Sequence, residues 1–274
     1  MKNKSIIIVC GDPESTFNEI LIKTLKNQVL SNIKFPIVVI CSKNLFQNEI
    51  KKFKKKISLK KFENQKKLLK KNIYIIDIPL DYKNLTSTKK NFYIKKSFEI
   101  GLDLLKKNRS SALINGPISK TTFLKGKYNG ITEYLAFKTK SFNEVMLIFN
   151  RELSVSPMTT HIPINKVTQK IKKKIIINKI KRIDEFYKKF LGIKPILAVT
   201  GLNPHCETFA GKNIEKTEIL PAIKVLKKKK IKIFGPYSAD TIFLKKNRKK
   251  FDVIVGMYHD QVLGPMKTIF GFDA

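Results

Sequence analysis

The chain has 274 residues and a formal net charge of +35, because 56 lysine and arginine residues outnumber 21 aspartate and glutamate residues. A hydrophobic content of 42%, with 19 phenylalanines, suffices for buried cores in one large or two medium domains. No apolar run approaches the roughly 20 residues that a membrane helix needs, so we expect no membrane-spanning segment.

Apolar, β-rich runs alternate with segments of helical period along the chain. The predicted strands are Ser5–Cys10, Pro36–Cys41, Ile73–Ile78, Ala112–Asn115, Val145–Phe149, Ser154–Thr160, Pro195–Thr200, Ile231–Phe234 and Val253–Gly256. The predicted helices are Ser15–Leu30, Lys89–Lys107, Lys166–Lys188 and Ile214–Lys227, with a charged helix and loops over Lys51–Lys71. This alternation predicts an α/β fold with a largely parallel sheet, in which ligands bind beyond the carboxyl ends of the strands.

The basic residues are nearly all lysine, which bears on the class of partner. Arginine is preferred for reading bases and clamping phosphates, and lysine runs on predicted helix faces are typical of solvated surface. We therefore expect no specific nucleic-acid partner, with RNA binding as the alternative, while the field still attracts anionic substrates. Cys10, Cys41 and Cys206 form no CxxC motif and favour a reducing, cytoplasmic setting.

Each of the three histidines follows a predicted strand. His161 ends the run Met158–His161, His205 ends Gly201–His205, and His259 follows Val253–Gly256. Taken singly, a histidine is more often a satisfied polar residue. Neutral imidazole is nevertheless the commonest zinc ligand, and three protein ligands with an open position are typical of a catalytic site. The shared placement therefore predicts a divalent metal site.

Other polar residues lie close to these histidines in sequence. Asp260 is a candidate for catalysis, as an acceptor that orients an imidazole or as a proton carrier; alternatively it caps a helix. Asp240 is a second candidate, or an N-terminal helix residue. Lys267 could pair with a phosphate or carboxylate, or be solvated. The segment Asn115–Lys120 could present amides to an anion, or be an ordinary turn.

Several common nucleotide and hydrolase motifs are missing. The first strand is followed by Gly11–Ile20, which lacks the glycines of a dinucleotide-binding turn, and neither a P-loop nor a GxSxG motif occurs. No carboxylate-rich cluster suggests a magnesium phosphotransferase.

Six motifs, in order and spacing, resemble those of the PdxA family of 4-hydroxythreonine-4-phosphate dehydrogenases. They are Asn115–Lys120, Gly130–Ala136, Thr160–Pro163, Gly201–His205, Gly235–Phe243 and Tyr258–Lys267. The resemblance implies one dehydrogenase region over residues 1–274. Its two intertwined subdomains would form an α/β/α fold like that of isocitrate and isopropylmalate dehydrogenases. It also implies a homodimer with the active site at the interface.

The same resemblance implies a reaction and its residues. A divalent metal (zinc, magnesium or cobalt) would be held by His161, His205 and His259, with Thr132 and Lys267 contacting a small phosphorylated amino-acid substrate. NAD or NADP, bound without the Rossmann fingerprint, would oxidise the substrate's 3-hydroxyl. Loss of CO₂ would then give 3-amino-2-oxopropyl phosphate, a precursor of pyridoxal phosphate.

The sequence departs from the family pattern in three places. Ile131 stands where the family has a histidine beside the substrate-binding threonine, which keeps a four-carbon acid-sugar phosphate open as the substrate. The N-terminal family motif is reduced to Gly11-Asp12-Pro13. The sequence ends at Ala274, before an Asn and an Arg of the family, so we expect a truncated form with little activity and poor stability. An inactive remnant is the alternative from another class.

Overall fold

The computed structural model describes residues 5–25, 32–63, 68–107, 110–128, 130–141, 144–206 and 213–271. The chain divides into two compact units, Met1–Tyr134 and Leu135–Ala274, and each contains a parallel sheet. The predicted α/β fold is confirmed. In the part of the chain that is described, no helix is long and apolar enough to cross a membrane.

The first unit is built on a five-stranded sheet in the order β3-β4-β2-β1-β5. All of its neighbouring strands are parallel. The strands are β1 (Ser5–Val9), β2 (Ile37–Cys41), β3 (Leu59–Lys61), β4 (Ile73–Asp77) and β5 (Ser110–Asn115). Runs of isoleucine and valine form β1 and β2 because both faces of the sheet are covered by helices.

The helices of the first unit cover the two faces of its sheet. They are α1 (Phe17–Thr24), α2 (Lys43–Lys52) and α3 (Ser87–Lys106), with α4 (Ile131–Thr139) at the division between the units. Leu21, Ile22 and Phe46 pack with Val39 on one face. On the other face, α3 comes so close that a Cβ atom on Gly101 would lie 3.2 Å from Val9.

Two predictions in this unit need correction or fall partly outside the described residues. Lys51–Lys71 was expected to be a charged helix with loops, but among the described residues of this segment only Lys51 and Lys52 are helical, and Leu59–Lys61 is a strand. Backbone pairing with β4 forms this edge strand without an apolar pattern. Residues 64–67, and the predicted end of the first helix at residues 26–30, lie outside the described part.

The second unit is built on a four-stranded parallel sheet in the order β6-β9-β7-β8. Its strands are β6 (Ser154–Pro157), β7 (Leu197–Thr200), β8 (Ile233–Tyr237) and β9 (Val253–Gly256). Alternate residues of β9 point to opposite faces, so Val253 and Val255 join one core and Ile254 joins the other. Predicted strand Val145–Phe149 was wrong, because only Ile148 pairs with β6, in an antiparallel bridge.

Helices flank both faces of this sheet as well. They are α5 (Val167–Lys170), α6 (Lys173–Phe186), α7 (Leu220–Lys228), α8 (Ala239–Ile242), α9 (Lys245–Arg248) and α10 (His259–Phe270). The single predicted helix Lys166–Lys188 was wrong in its continuity. Ile171 is buried in extended conformation after α5, and the Glu218 carboxylate accepts a 2.6 Å hydrogen bond from the Lys173 N–H at the start of α6.

Candidate active site

The second sheet has its topological switch point between β7 and β9. The chain passes from β7 to β8 on one side, and β9 then pairs with the other side of β7. In parallel sheets, ligands bind outside the carboxyl ends of the strands at such a point. The loop of His205 follows β7, and α10 starts with His259 just after β9. Two of the three histidines therefore flank the position where this topology favours a ligand.

His161 is brought to the same edge by the loop after β6. The buried Thr159 donates its hydroxyl to the Met257 carbonyl oxygen at 2.8 Å, which ties this loop to the end of β9. His161 has a left-handed backbone with φ of 47°. Its ring centroid lies 6.0 Å from that of His259.

His205 lies in a strained turn beside the start of α8. His205 and Cys206 both have left-handed backbones, with φ of 54° and 58°. Such conformations in residues other than glycine cost free energy, and they cluster at functional sites. The Nδ1 atom of His205 lies 3.5 Å from the Ser238 hydroxyl and 3.7 Å from Asp240 Oδ2. The Ser238 hydroxyl, which donates to Asp240 at 2.6 Å, lowers the pKa of that carboxyl, and His205 adds to the shift.

His259 is the first residue of α10 and has a carboxylate at its Nδ1 atom. Asp260 Oδ1 lies 2.7 Å from His259 Nδ1. Tyr258 occupies the N-cap position of α10, and its side chain makes no capping bond. Asp260 lies in the first turn of the helix and is therefore not its N-cap. A carboxylate at Nδ1 fixes the ring orientation and leaves Nε2 for another partner.

Gln261 connects the ends of β7 and β9 and was not singled out from the sequence. Its Oε1 atom accepts from the Met257 N–H at 2.7 Å and from the Thr200 hydroxyl at 2.9 Å. Its Nε2 atom donates to the Gly201 carbonyl oxygen at 2.8 Å. Because the side chain is buried, these bonds hold the two histidine-bearing loops together.

Glu215 is a second buried polar residue that the sequence did not reveal. Its carboxylate accepts hydrogen bonds from the backbone N–H groups of Leu202 and Asn203, and one from the Asn203 side chain. Glu215 shares the buried face of its helical segment with Ile219 and Ala222. A carboxylate at a core-face position was the available signal, since such a group needs buried donors.

The donor chemistry of this edge fits a divalent metal. Among the described residues, no group of three His, Cys, Asp or Glu side chains already has the spacing of a metal site. Two of the three imidazoles, His205 and His259, nevertheless have a carboxylate near Nδ1, the arrangement that usually accompanies metal-binding histidines. All three side chains are partly or largely exposed.

The remaining predicted residues lie on α10, on α4 and in the loop after β5. Lys267 is an exposed residue of α10, about 12 Å along the helix axis from His259. Thr132, in the first turn of α4, belongs to the first unit. In the segment Asn115–Lys120, the Ser119 hydroxyl accepts the Thr122 N–H at 3.1 Å, as in an ordinary strand-to-helix turn.

The loop after β1 does not fit the pyrophosphate of a dinucleotide. A Cβ atom on Gly11 would lie 2.4 Å from the Pro117 carbonyl oxygen, and the Asp12 N–H already donates to that oxygen at 2.8 Å. This close packing leaves no cradle for phosphate, in line with the missing glycine motif.

A family model described as "Pyridoxal phosphate biosynthetic protein PdxA" matches residues 33–274. The chain belongs to the PdxA family. Membership makes the protein a dehydrogenase and implies a nicotinamide cofactor.

Named PdxA relatives differ in the substrate they act on. The chain is 35% identical over 275 residues to a 4-hydroxythreonine-4-phosphate dehydrogenase of Sulfurihydrogenibium sp., covering 96% of this chain and 83% of that protein. It is 30% identical over 292 residues to a D-threonate 4-phosphate dehydrogenase of Salmonella typhimurium, covering 100% of this chain and 86% of the relative.

The fold agrees with solved PdxA structures. The crystal structure of a 4-hydroxythreonine-4-phosphate dehydrogenase from Burkholderia phymatum superposes with a TM-score of 0.81 at 28% identity. The match covers 99% of this chain and 84% of that one. The family is thus supported by sequence and by fold, while the two kinds of relative leave the substrate to be argued.

Proposed function

We propose that the protein catalyses the metal-dependent, NAD(P)-linked oxidation of 4-phosphohydroxy-L-threonine, followed by decarboxylation to 3-amino-2-oxopropyl phosphate. The product would serve pyridoxal phosphate biosynthesis. The observation that carries the proposal is the placement of His161, His205 and His259 at one edge of the second sheet. The ring centroids of His161 and His259 are 6.0 Å apart. The 35% identity to a 4-hydroxythreonine-4-phosphate dehydrogenase supports this substrate.

In this proposal His161, His205 and His259 would hold one divalent metal. When bound, such a metal lowers the pKa of a substrate hydroxyl and polarises the carbonyl that forms from it. The Nδ1 atoms of His205 and His259 face Asp240 and Asp260, so the Nε2 atoms remain as the nitrogens for the metal. Zinc, cobalt and magnesium are the candidate ions, with imidazole favouring the first two.

Three side chains support these ligands in the proposed mechanism, and two others contact the substrate. Asp260 holds the ring of His259 through its 2.7 Å contact, and Asp240 with Ser238 does the same for His205 at longer distance. Lys267 and Thr132 are proposed to contact the substrate, as the family resemblance implies. A lysine ammonium suits a phosphate oxygen because the hydrogen bond is charge-assisted.

The charge of the chain suits the same class of substrate. A net charge of +35 produces a positive field that raises the local concentration of small anions. The proposed substrate carries a phosphate and a carboxylate, so its encounter rate should fall as salt screens the field. We also propose a homodimer, which the family resemblance implies.

D-threonate 4-phosphate is the second candidate substrate. A relative with that activity in its name is 30% identical over 100% of this chain, and Ile131 replaces the histidine expected beside Thr132. The family resemblance implies a substrate contact at this position, so the change keeps a four-carbon acid-sugar phosphate such as D-threonate 4-phosphate open as the substrate.

The test measures metal content and substrate choice in one preparation of the protein. Zinc-loaded and chelator-treated samples are compared for the formation of reduced nicotinamide, with each phosphate substrate and with NAD or NADP. We expect whatever turnover the protein has to require the metal and to show a higher kcat/KM for 4-phosphohydroxy-L-threonine. A higher kcat/KM for D-threonate 4-phosphate would establish the second candidate. Metal content at full stoichiometry with no turnover of either substrate would contradict both and support an inactive remnant.

His205→Ala is the matched variant for the metal part of this test. The variant should lose most of its bound metal in elemental analysis, because one of three imidazoles is removed. Full metal stoichiometry in His205→Ala would contradict the ligand assignment even if turnover were seen.

A further inference from the structure

Glu215 is a buried carboxylate that binds the loop carrying His205. Only 2% of the residue is exposed. Its Oε1 atom accepts from the Leu202 N–H and the Asn203 N–H, each at 2.8 Å, and its Oε2 atom accepts from the Asn203 side-chain amide at 3.0 Å. Three donors from two consecutive residues converge on one side chain.

This arrangement is specific because a carboxylate is expensive to bury. An ionised carboxylate in an apolar environment must be compensated by hydrogen bonds or counter-charges. Bonds from N–H groups to a charged acceptor are roughly twice as strong as bonds between neutral groups. Glu215 therefore fixes the backbone directions of Leu202 and Asn203 more firmly than a neutral acceptor would.

The loop that Glu215 holds is one that needs an external anchor. The backbones of His205 and Cys206 are both in the left-handed region, which residues other than glycine rarely adopt. The loop also folds tightly on itself, since a Cβ atom on Gly201 would lie 2.7 Å from Cys206 Sγ. Strained backbone of this kind persists only where surrounding contacts hold it. The Glu215 carboxylate provides three such contacts.

We propose that Glu215 is a positioning residue that sets His205 for metal binding; this rests on the proposed function. It does not touch the metal or the substrate. It acts through the backbone of Leu202 and Asn203, which lead directly to the His205 ligand. Loss of its carboxylate should leave the other two histidines in place and release the third.

The chain offers a matched control in the same helical turn. Glu218 lies three residues further on, and its carboxylate also accepts a backbone hydrogen bond, from Lys173 at 2.6 Å. That bond caps α6 and has no connection to the loop of His205. Glu218→Ala should therefore lower stability without changing the metal site.

The experiment measures cobalt(II) affinity by titration and the visible absorption of the bound cobalt. The wild-type chain is compared with Glu215→Ala, Glu215→Gln and Glu218→Ala, and the thermal midpoint of each apo form is recorded. We expect Glu215→Ala to weaken the cobalt Kd by roughly 10–100-fold, as removal of residues that orient metal ligands usually does, and to change the absorption bands. Glu215→Gln, which keeps an acceptor oxygen, should lose less affinity. Glu218→Ala should keep the wild-type Kd and spectrum.

Each other outcome contradicts a particular step. A wild-type chain that binds no cobalt overturns the proposed function, and the inference falls with it. If the wild type binds cobalt and both Glu215 variants keep its Kd and spectrum, the inference alone is overturned. Equal weakening in Glu218→Ala would also overturn it, because the effect would then follow general destabilisation. If Glu215→Ala does not fold, the Kd and spectrum of Glu215→Gln decide.

Discussion

The two parallel sheets hold their strand-end loops together in different ways. In the first unit the loop after β1 and the loop after β5 meet backbone to backbone. A Cβ atom on Gly116 would lie 2.2 Å from the Cys10 carbonyl oxygen, and one on Gly11 would lie 2.4 Å from the Pro117 carbonyl oxygen. Backbone hydrogen bonds, such as that from the Asp12 N–H to Pro117, complete this contact.

In the second unit the corresponding loops are joined by buried side chains. Thr159 connects the loop after β6 to β9, Gln261 connects β9 to β7, and Glu215 holds the loop after β7. The histidines project from these loops and are partly or largely exposed. In the first unit, the strand-end loops are packed backbone against backbone and form a closed edge. In the second unit, the strand-end loops carry the histidines and are joined by hydrogen bonds from buried side chains. The difference lies in the residues that follow each strand and in the order of the strands in each sheet.

The largest effect should come from adding one methyl group to the closed edge. Gly116→Ala forces a Cβ atom against backbone, which cannot move as a flexible side chain can. We expect a loss of about 4 kcal/mol in the free energy of unfolding, above the usual cost of overpacking. The urea midpoint measures it. A loss below about 1 kcal/mol would contradict the close backbone contact at Gly116.

Gln261→Leu should have the next largest effect. The substitution leaves the Met257 N–H and the Gly201 carbonyl oxygen buried without their partner, which we expect to cost about 2–3 kcal/mol. Gln169→Leu, at an exposed position of α5, is the control and should change stability by less than about 0.5 kcal/mol. Equal urea midpoints for the two variants would contradict the bracing role of Gln261.

Thr159→Val removes a single bracing hydroxyl with little change in shape. The Met257 carbonyl oxygen keeps its bond from the Thr159 N–H at 3.2 Å, so only about 1 kcal/mol should be lost. Thr268→Val serves for comparison, because the hydroxyl of the exposed Thr268 donates to the Gly264 carbonyl oxygen within its own helix. If the thermal midpoint of Thr159→Val is as high as that of Thr268→Val, the Thr159 hydroxyl does not stabilise the contact between its loop and β9.

Gly264→Ala should have the smallest effect, and in the opposite direction. Apart from its two chain neighbours and the nearby backbone of its own helix, this glycine of α10 has no described atom within 4 Å of the position that a Cβ would take. Alanine in a helix is favoured over glycine by roughly 0.5–1 kcal/mol, so the unfolding midpoint should rise. If Gly264→Ala destabilises the protein as much as Gly116→Ala does, then glycine is required at position 264 as well as at position 116.

The central strands were predictable because their signal is local. Ile37–Cys41 and Val253–Gly256 are short β-branched runs between turn residues, and the structure has strands there. The break between α5 and α6 was not predictable, since the Glu218 cap comes from 45 residues away. The edge strand Leu59–Lys61 was also missed, because backbone pairing forms it despite its lysines.

In the candidate site, too, features with a local sequence signal were predictable and features that depend on distant residues were not. The position of each histidine after a strand could be predicted from the sequence, as could a polar role for Asp260. The links that Gln261 and Glu215 make could not, because Gln261 binds Gly201, 60 residues away, and Glu215 binds residues 12 and 13 positions away. Only the need of Glu215 for buried donors was signalled, by a carboxylate at a core-face position. A hydrogen-bonding network between loops depends on how the strands are ordered in the sheet. That order is set by tertiary packing and leaves no local pattern.

Metal binding by His161, His205 and His259 can be tested directly by the X-ray absorption spectrum of the zinc-loaded protein. Ligation by the three histidines predicts nitrogen and oxygen neighbours at about 2.0–2.1 Å, with the outer-shell scattering of imidazole rings. That imidazole scattering should weaken in His205→Ala. A sulfur neighbour at about 2.3 Å, which Cys206 beside His205 would give, or a shell without imidazole, would contradict the account.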